Sequence, residues 1–150
     1  MQQECLQVAK LLKIYLLTNN IKEWVVTSPL YVLKNLKGDK WYLNQNNYRN
    51  THFQALNNYK KKYKKHIEPQ VSQLPWFNIV SITLTIYPKS KRLFDLDNIA
   101  AVHCKFFLDS LSEALKIEDD NYLFVPEIHT YFGNIDKINP RVDISIKELK

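Results

Sequence analysis

The chain has 150 residues, of which 45% are hydrophobic and 24% charged, a profile typical of one soluble globular domain. Its two glycines, Gly38 and Gly133, are far apart, which excludes the glycine-rich phosphate loops of Walker and dinucleotide-binding folds. Its two cysteines, Cys5 and Cys104, provide neither a zinc-knuckle spacing nor a disulfide framework. We therefore expect a protein of a reducing cytoplasm without structural zinc.

The beginning of the chain does not resemble a secretion signal. Gln2, Gln3 and Glu4 stand where a signal peptide carries positive charge, and Lys10 and Lys13 interrupt the apolar run behind them. No stretch of the sequence approaches the length needed to span a membrane. We expect no membrane partner.

The net charge of +6 is divided unevenly along the chain. Residues 1–94 carry 15 basic and 4 acidic side chains, whereas residues 95–150 carry 6 basic and 11 acidic ones. A basic surface attracts a polyanion by counterion release, and clustered carboxylates repel phosphate unless a cation lies between them. The same asymmetry is compatible with a solubilising charge distribution that serves no partner.

The first predicted element is an amphipathic helix over residues 5–17, because apolar residues recur there at helical spacing. Trp24–Leu33 is predicted to be extended, with Pro29 favouring an edge or a bend. A turn at residues 37–39 leads into a short strand, Trp41–Leu43, which completes a hairpin. Thr51 and Gln54 form a capping-box pattern that opens a predicted helix over residues 52–67, and Pro69 marks its end.

The second half of the chain predicts three strands and one helix. Alternating apolar residues indicate a strand over residues 78–87, and a basic connector then leads to a helix over residues 98–116. Strands over residues 122–132 and 141–147 complete the pattern. The expected fold is α/β of the α+β type: one domain, residues 23–150, with a mixed sheet and two or three packed helices. Residues 1–22 form a helical extension in this scheme.

The segment Phe94–Asn98 carries the most informative acids. If it is extended, Asp95 and Asp97 point the same way while Leu96 is anchored in the core. Two carboxylates on one face are half of a Mg²⁺ site, which further carboxylates and a substrate phosphate complete. The structural alternative makes Asp97 an N-cap and Asp95 a charge favoured by the helix dipole.

Further charged residues follow one helix later and on the helix itself. Glu118, Asp119 and Asp120 cluster where the chain reverses into the next strand. Lys105 can stabilise charge on a phosphodiester transition state, or it can pair with Asp109, four residues on, as an ordinary surface ion pair. The four histidines have no metal-ligand spacing and are expected to be packing or surface residues.

Two basic stretches are candidates for nucleic-acid contact. Asn44–His52 is rich in amides, and five lysines occur within residues 60–65 among tyrosines, a mixture that nucleic-acid surfaces use. The lysines are equally typical of a solvated helix face. The candidate DNA-binding residues are Asn47, Arg49, Lys61, Lys62, Lys64, Lys65, Lys91 and Arg92.

The sequence Asp95-Leu96-Asp97-Asn98, then Lys105, Asp109 and Leu111, then Asp119-Asp120 before a strand, resembles the RusA-type Holliday junction resolvases of phages and prophages. The resemblance covers residues 78–147 and, more loosely, residues 44–52. It departs from the family at Lys105, which lies eight residues after Asp97 where four are expected. The extra turn moves the side chain about 6 Å along the helix.

The resemblance implies an α/β homodimer in which Asp95, Asp97 and Asp120 bind metal and catalyse, assisted by Lys105. It implies Mg²⁺ as the cofactor, with Mn²⁺ as a substitute, and no nucleotide cofactor. The implied reaction is hydrolytic nicking of four-way DNA junctions in recombination and repair, in the cytoplasm of a bacterial host or phage-infected cell. The implied products are a 5′-phosphate and a 3′-hydroxyl.

Two alternatives stay open. The chain can be a catalytically silent DNA-binding or regulatory protein on the same scaffold. It can also be a metal-dependent nuclease acting on flaps, forks or RNA.

Overall fold

The computed structural model describes residues 22–149, together with Gln7, Val8, Lys10, Leu11 and Ile14, which are helical. Apart from these five residues and Lys22, the predicted helical extension, residues 1–22, lies outside the described residues. The elements within residues 22–149 are β1 (Glu23–Ser28), β2 (Tyr31–Leu33), β3 (Lys40–Tyr42), α1 (Gln45–Asn50), α2 (Phe53–Val71), β4 (Val80–Tyr87), α3 (Leu96–Glu113), β5 (Glu127–Phe132) and β6 (Arg141–Glu148). No helix in this part of the chain is long and apolar enough to cross a bilayer.

The main sheet is mixed and has the strand order β1-β6-β4-β5. The β1–β6 and β6–β4 pairs are antiparallel, whereas β5 runs parallel to β4 with Ile128 opposite Ile82. The β2–β3 hairpin forms a separate two-stranded sheet. This is the single α+β domain with a mixed sheet that the sequence predicts, and it contains three helices within residues 22–149.

One face of the sheet forms the core. Val142, Ile144 and Ile146 of β6 are fully buried, and they lie opposite buried residues of β4. The alternate residues of β6 are only partly buried, as expected when one face is covered and the other faces solvent. Helices α2 and α3 cover the buried face, so the period-two pattern is confirmed as the signal of a half-buried sheet.

The helix termini differ from the predictions. Thr51 is not an N-cap but the C-cap of α1, a helix that the sequence analysis missed. His52 caps α2, its Nδ1 accepting a hydrogen bond from the Gln54 backbone amide. Pro69 lies inside α2 and does not end it. The proline has no amide to donate, which removes one helical hydrogen bond, but the ladder resumes where the Ser72 amide donates to the Glu68 carbonyl oxygen.

Two further predictions about the second half are corrected. Residues 122–124 form a turn and residues 125–126 are irregular, so β5 begins only at Glu127. The helix predicted over residues 98–116 is shorter, because α3 ends at Glu113 and the apolar Leu115 beyond it is exposed. Its φ of 56° is the left-handed conformation that commonly follows a helix end.

A buried polar cluster joins β1, α2 and α3. The Ser28 hydroxyl lies 2.6 Å from Tyr63 Oη and 2.7 Å from His103 Nδ1, and all three residues are fully buried. His103 Nε2 has no hydrogen-bond partner within the described residues. Burial lowers the pKa of His103 to about 3 and raises the pKa of the Tyr63 hydroxyl. His103 is therefore a packing histidine, as expected from the sequence.

This cluster predicts an acid-dependent loss of stability. Because the pKa of His103 is about 3 in the folded chain and 6.5 in an unfolded one, only the unfolded chain gains a proton between these values. The free energy of unfolding should therefore fall as pH drops from 6.5 towards 3, by about 1.4 kcal/mol per pH unit. The free energy of unfolding measured with urea should be lower at pH 5 than at pH 8, by about 2 kcal/mol from this residue.

The contribution should be absent in His103→Asn, whose amide replaces Nδ1, although this variant is less stable overall because the ring leaves a cavity. His66→Asn, a change at an exposed position, is the control and should retain the pH dependence. An equal loss of stability between pH 8 and pH 5 in native and His103→Asn protein would contradict the assignment.

Candidate active site

The acidic segment is extended only as far as Asp95, whereas one expectation had it extended through Asp97. Helix α3 begins at Leu96, so Asp95 is the N-cap and Asp97 lies in the first turn. Successive helical residues are about 100° apart, so the two aspartates do not share a face by strand alternation. The structural alternative correctly placed both aspartates at the helix start but made Asp97 the N-cap. The N-cap is Asp95, and its side chain makes no capping hydrogen bond.

Asp97 faces an open cavity of about 490 Å³ that runs along α3. Helical spacing places Ala101, Cys104, Lys105 and Leu108 on the same side of the helix, and all of them line the cavity. The opposite wall comes from the sheet, through Leu84 of β4 and Ile128 and Thr130 of β5. This cavity is the candidate active site.

Asp120 reaches the same cavity from the loop between α3 and β5. Its neighbour Asp119 shapes the loop: the Asp119 carboxylate accepts hydrogen bonds from the Asp120 backbone amide at 2.8 Å and from Asn121 Nδ2 at 2.7 Å. These donors hold the pKa of Asp119 below its usual value. Of the adjacent pair, Asp119 therefore organises the turn and Asp120 lines the site.

The position of Lys105 is compatible with both interpretations of this residue. Its Nζ is 4.0 Å from Asp109 Oδ2, which is the surface pair expected from the i, i+4 spacing. Both side chains are partly exposed, so this pair contributes little to stability. Lys105 also lines the cavity that contains Asp97 and Asp120, so its ammonium group is available to a bound anion.

The acids of the cavity fit a Mg²⁺ ion that is held partly by its substrate. Mg²⁺ in phosphoryl-transfer sites is bound by one or two carboxylates, several waters and phosphate oxygens. Asp97 and Asp120 supply two such carboxylates at one cavity, whereas Asp95 is not among its lining residues. Within the described residues, no group of three or more His, Cys, Asp or Glu side chains is placed to hold a metal by itself.

The amide-rich segment lies beside the acids. The Gln45 backbone amide donates to Asn98 Oδ1 at 3.1 Å, and Gln45 Nε2 donates to the Asp97 carbonyl oxygen at 3.5 Å. Arg49, one turn further along α1, donates to Gln45 Oε1. Helix α1 therefore carries an exposed arginine next to the first turn of α3. Asn47 is half-buried and donates to the Tyr42 carbonyl oxygen, a structural role.

The sequence analysis missed the contact between Asn98 and Gln45, and with it α1. The signal was present in Asn44, a favoured N-cap residue, whose side chain accepts a hydrogen bond from the Asn47 amide. Cys104 was also missed as a residue of the site.

The lysines of α2 divide into two groups. Lys62 donates to the carbonyl oxygens of Leu33 and Lys34, and Lys64 pairs with Glu113 of α3. Lys61 and Lys65 are exposed, four residues apart on one side of the helix. Lys91 and Arg92 are exposed in the loop that precedes α3. Of the eight candidate DNA contacts, Asn47, Arg49, Lys62 and Lys64 therefore have side-chain hydrogen bonds or ion pairs within the protein.

Lys61 belongs to a second cavity, of about 390 Å³, between α2 and α3. Lys60 and Lys64 also line it from α2, while Asp109 and Glu113 line it from α3. Asp109 lines this second cavity and also contacts Lys105, which lines the candidate active site. The exposed side of α3 therefore separates the two cavities.

Comparison with known proteins adds no relative to this description. A scan against protein-family models gave no match, and a search of curated proteins gave no significant match. The resemblance to RusA-type resolvases rests on the residues named above.

The position of Asp120 can be tested through the Cys104 thiol. Burial, and to a smaller extent the negative charge of Asp120, together raise the pKa of Cys104 to about 11. In a Cys5→Ser background, where Cys104 is the remaining thiol, Asp120→Asn should therefore shift the pH profile of alkylation to lower pH. Asp109→Asn makes the same charge change on the far side of Lys105 and should leave the profile in place. Identical alkylation profiles for native and Asp120→Asn protein would show that the Asp120 carboxylate does not lie near Cys104 in this cavity.

Proposed function

We propose that this chain is a Mg²⁺-dependent endodeoxyribonuclease that hydrolyses phosphodiesters in branched DNA, as the RusA-type resolvases do. The observation that carries the proposal is the shared cavity of Asp97, Asp120 and Lys105. Two carboxylates and one ammonium group at an open cavity suit a metal ion bound against a phosphate. The surrounding cations suit a polyanionic substrate that is too large to enter a closed pocket.

Each residue of the site has a distinct task in this proposal. Asp97 and Asp120 hold the ion, which when bound supplies Lewis-acid activation of water and of the scissile phosphate. Lys105 compensates the charge that develops on the phosphate oxygens. Arg49 binds the strand next to α3. Asp95, at the N-cap of α3, does not line the cavity.

The biological setting follows from the same proposal. A homodimer would present two such cavities, one for each of two opposed strands of a four-way junction. The protein would then act in recombination and repair of DNA in the cytoplasm of a bacterial host or a phage-infected cell. Mn²⁺ should replace Mg²⁺ because it accepts the same oxygen ligands.

One observation favours a second function, that of a catalytically silent DNA-binding protein. The Asp95 side chain does not line the cavity, and Lys105 has Asp109 as a partner. A protein that has lost its metal site would retain the exposed cations of α1, α2 and the loop before α3.

Cleavage of a labelled four-way junction distinguishes these functions. Native protein should nick it in Mg²⁺ or Mn²⁺ and not in EDTA. Asp97→Asn and Asp120→Asn should each lower the rate by more than roughly 100-fold, because even outer-shell partners of a metal are worth about 10- to 100-fold. Both variants should still bind the junction.

Asp109→Asn is the matched control, since it removes a carboxylate from the other side of Lys105. It should cleave within a few-fold of native protein. Tight junction binding without nicking in either metal would support the silent protein instead, and preferential cleavage of flaps, forks or RNA would redirect the substrate.

The salt dependence of binding tests the contribution of α2. Lys61→Gln combined with Lys65→Gln removes two exposed charges, and each lost phosphate contact lowers the slope of log K against log salt by about 0.9. The double variant should therefore bind duplex DNA with a slope smaller by about 2. Lys22→Gln with Lys147→Gln makes the same charge change on β1 and β6 and should alter the slope little. If the two double variants behave alike, α2 has no special contact with DNA.

A further inference from the structure

Two loops meet at the edge of the sheet where α3 begins. The first, residues 88–95, connects β4 to α3, and the second, residues 133–140, connects β5 to β6. The Asp136 backbone amide donates to the Pro88 carbonyl oxygen at 2.8 Å, and the rings of Phe94 and Phe132 lie 6.4 Å apart. Because β4 and β5 are parallel, both loops leave the same edge, next to Asp97.

The exposed charges of these loops are mostly positive, and the exposed acid among them is Asp95 at the N-cap of α3. Residues 88–93 contain Lys89, Lys91 and Arg92 and no acid, and all three cations are exposed. The second loop adds the exposed Lys137. Its acid, Asp136, is paired with Arg141 at 2.9 Å. The pair of loops therefore presents four exposed cations and one exposed carboxylate, Asp95, an excess of positive charge that suits a polyanion.

Each loop also exposes one aliphatic side chain beside a cation. Leu93 is 94% exposed and follows Arg92, and Ile138 is 97% exposed and follows Lys137. Single exposed apolar residues are ordinary on protein surfaces. Here two of them lie on hydrogen-bonded neighbouring loops, each adjacent in sequence to a cation. Proteins that distort DNA use this combination, with an apolar wedge between base steps and cations on the flanking phosphates.

We propose that residues 88–93 and 134–140 form a surface that recognises the branch point of DNA. Leu93 and Ile138 pack against bases that are unstacked at the branch, while Lys89, Lys91, Arg92 and Lys137 bind the phosphates around it. This proposal rests on the proposed function, because its occupant is the branched DNA of the candidate active site. It adds the source of selectivity: unstacking is least costly where bases are already unpaired, so a wedge favours junctions over duplex.

The test uses a four-way junction and a linear duplex, each with 2-aminopurine at the same central sequence, in EDTA so that no strand is cut. Native protein should brighten the probe in the junction and bind the junction roughly tenfold or more tighter than the duplex. Leu93→Ser should lose the brightening and most of this preference, with duplex affinity within about twofold of native, because its phosphate contacts remain.

Leu36→Ser is the matched control. Leu36 is fully exposed at the tip of the β2–β3 hairpin and is also close to lysines, but it lies on a different loop. It should brighten the probe and prefer the junction as native protein does. The proposal is overturned if Leu93→Ser keeps both properties, if Leu36→Ser loses them equally, or if native protein binds junction and duplex alike.

Two further measurements separate this inference from the nuclease function. Addition of Mg²⁺ to the same junction reports nicking independently. Brightening that depends on Leu93 without nicking supports the branch-point surface and contradicts the nuclease, whereas nicking without brightening does the reverse. Vesicles containing phosphatidylserine provide the other arm. Binding to them that depends on Leu93, with no preference for the junction, would assign the loops to a membrane surface and overturn the proposal.

Discussion

The parallel pairing of β4 with β5 is the constraint on which the candidate active site depends. Parallel neighbours need a crossover connection, and α3 provides it by running back over the buried face of the sheet. After α3 only the loop of residues 114–126 is needed to reach the start of β5, and Asp120 in this loop lines the cavity that Asp97 and Lys105 line from α3. An antiparallel β5 would need no crossover, and the acids would have no common cavity.

The placement of α3 depends in turn on polar contacts at its two sides. The Ser28–Tyr63–His103 cluster joins the helix to β1 and α2 in the core. At the N-terminus, Asn98 accepts from the backbone of α1. The acidic segment thus has structural tasks: Asp95 occupies the N-cap position, and Asn98 holds α1, while Asp97 lines the cavity. The interpretation of this motif as a helix start is correct, and the interpretation of Asp97 as part of a metal site stays a prediction.

How far the fold could be predicted follows from where its residues are buried. Strand β6 alternates strictly because one face is covered, and its pattern located it within about a residue. Strand β5 is exposed along most of its length, so no burial pattern marked its start. Helix α1 is six residues long with no buried residue, which leaves no periodicity to detect. Pro69 misled because a proline commonly ends a helix, whereas α2 continues for two residues beyond it and buries Val71.

The site was predictable in its residue types but not in its geometry. Acids at 95, 97 and 120 could be singled out from the sequence, yet the cavity that Asp97 and Asp120 both line depends on strand order, which no local pattern encodes. The strand-like spacing of Asp95 and Asp97 was the wrong geometry, because a helix begins between them. The partners of Lys62 and Lys64 are likewise long-range contacts that a run of lysines does not reveal.

The most direct test of the central claim is anomalous diffraction from crystals of the protein with junction DNA and Mn²⁺. The account predicts a manganese peak in the cavity beside α3, within about 2.2 Å of carboxylate oxygens of both Asp97 and Asp120. A phosphate oxygen of the DNA should complete the coordination. A peak that touches neither aspartate, or DNA bound on another face of the domain, would contradict the account.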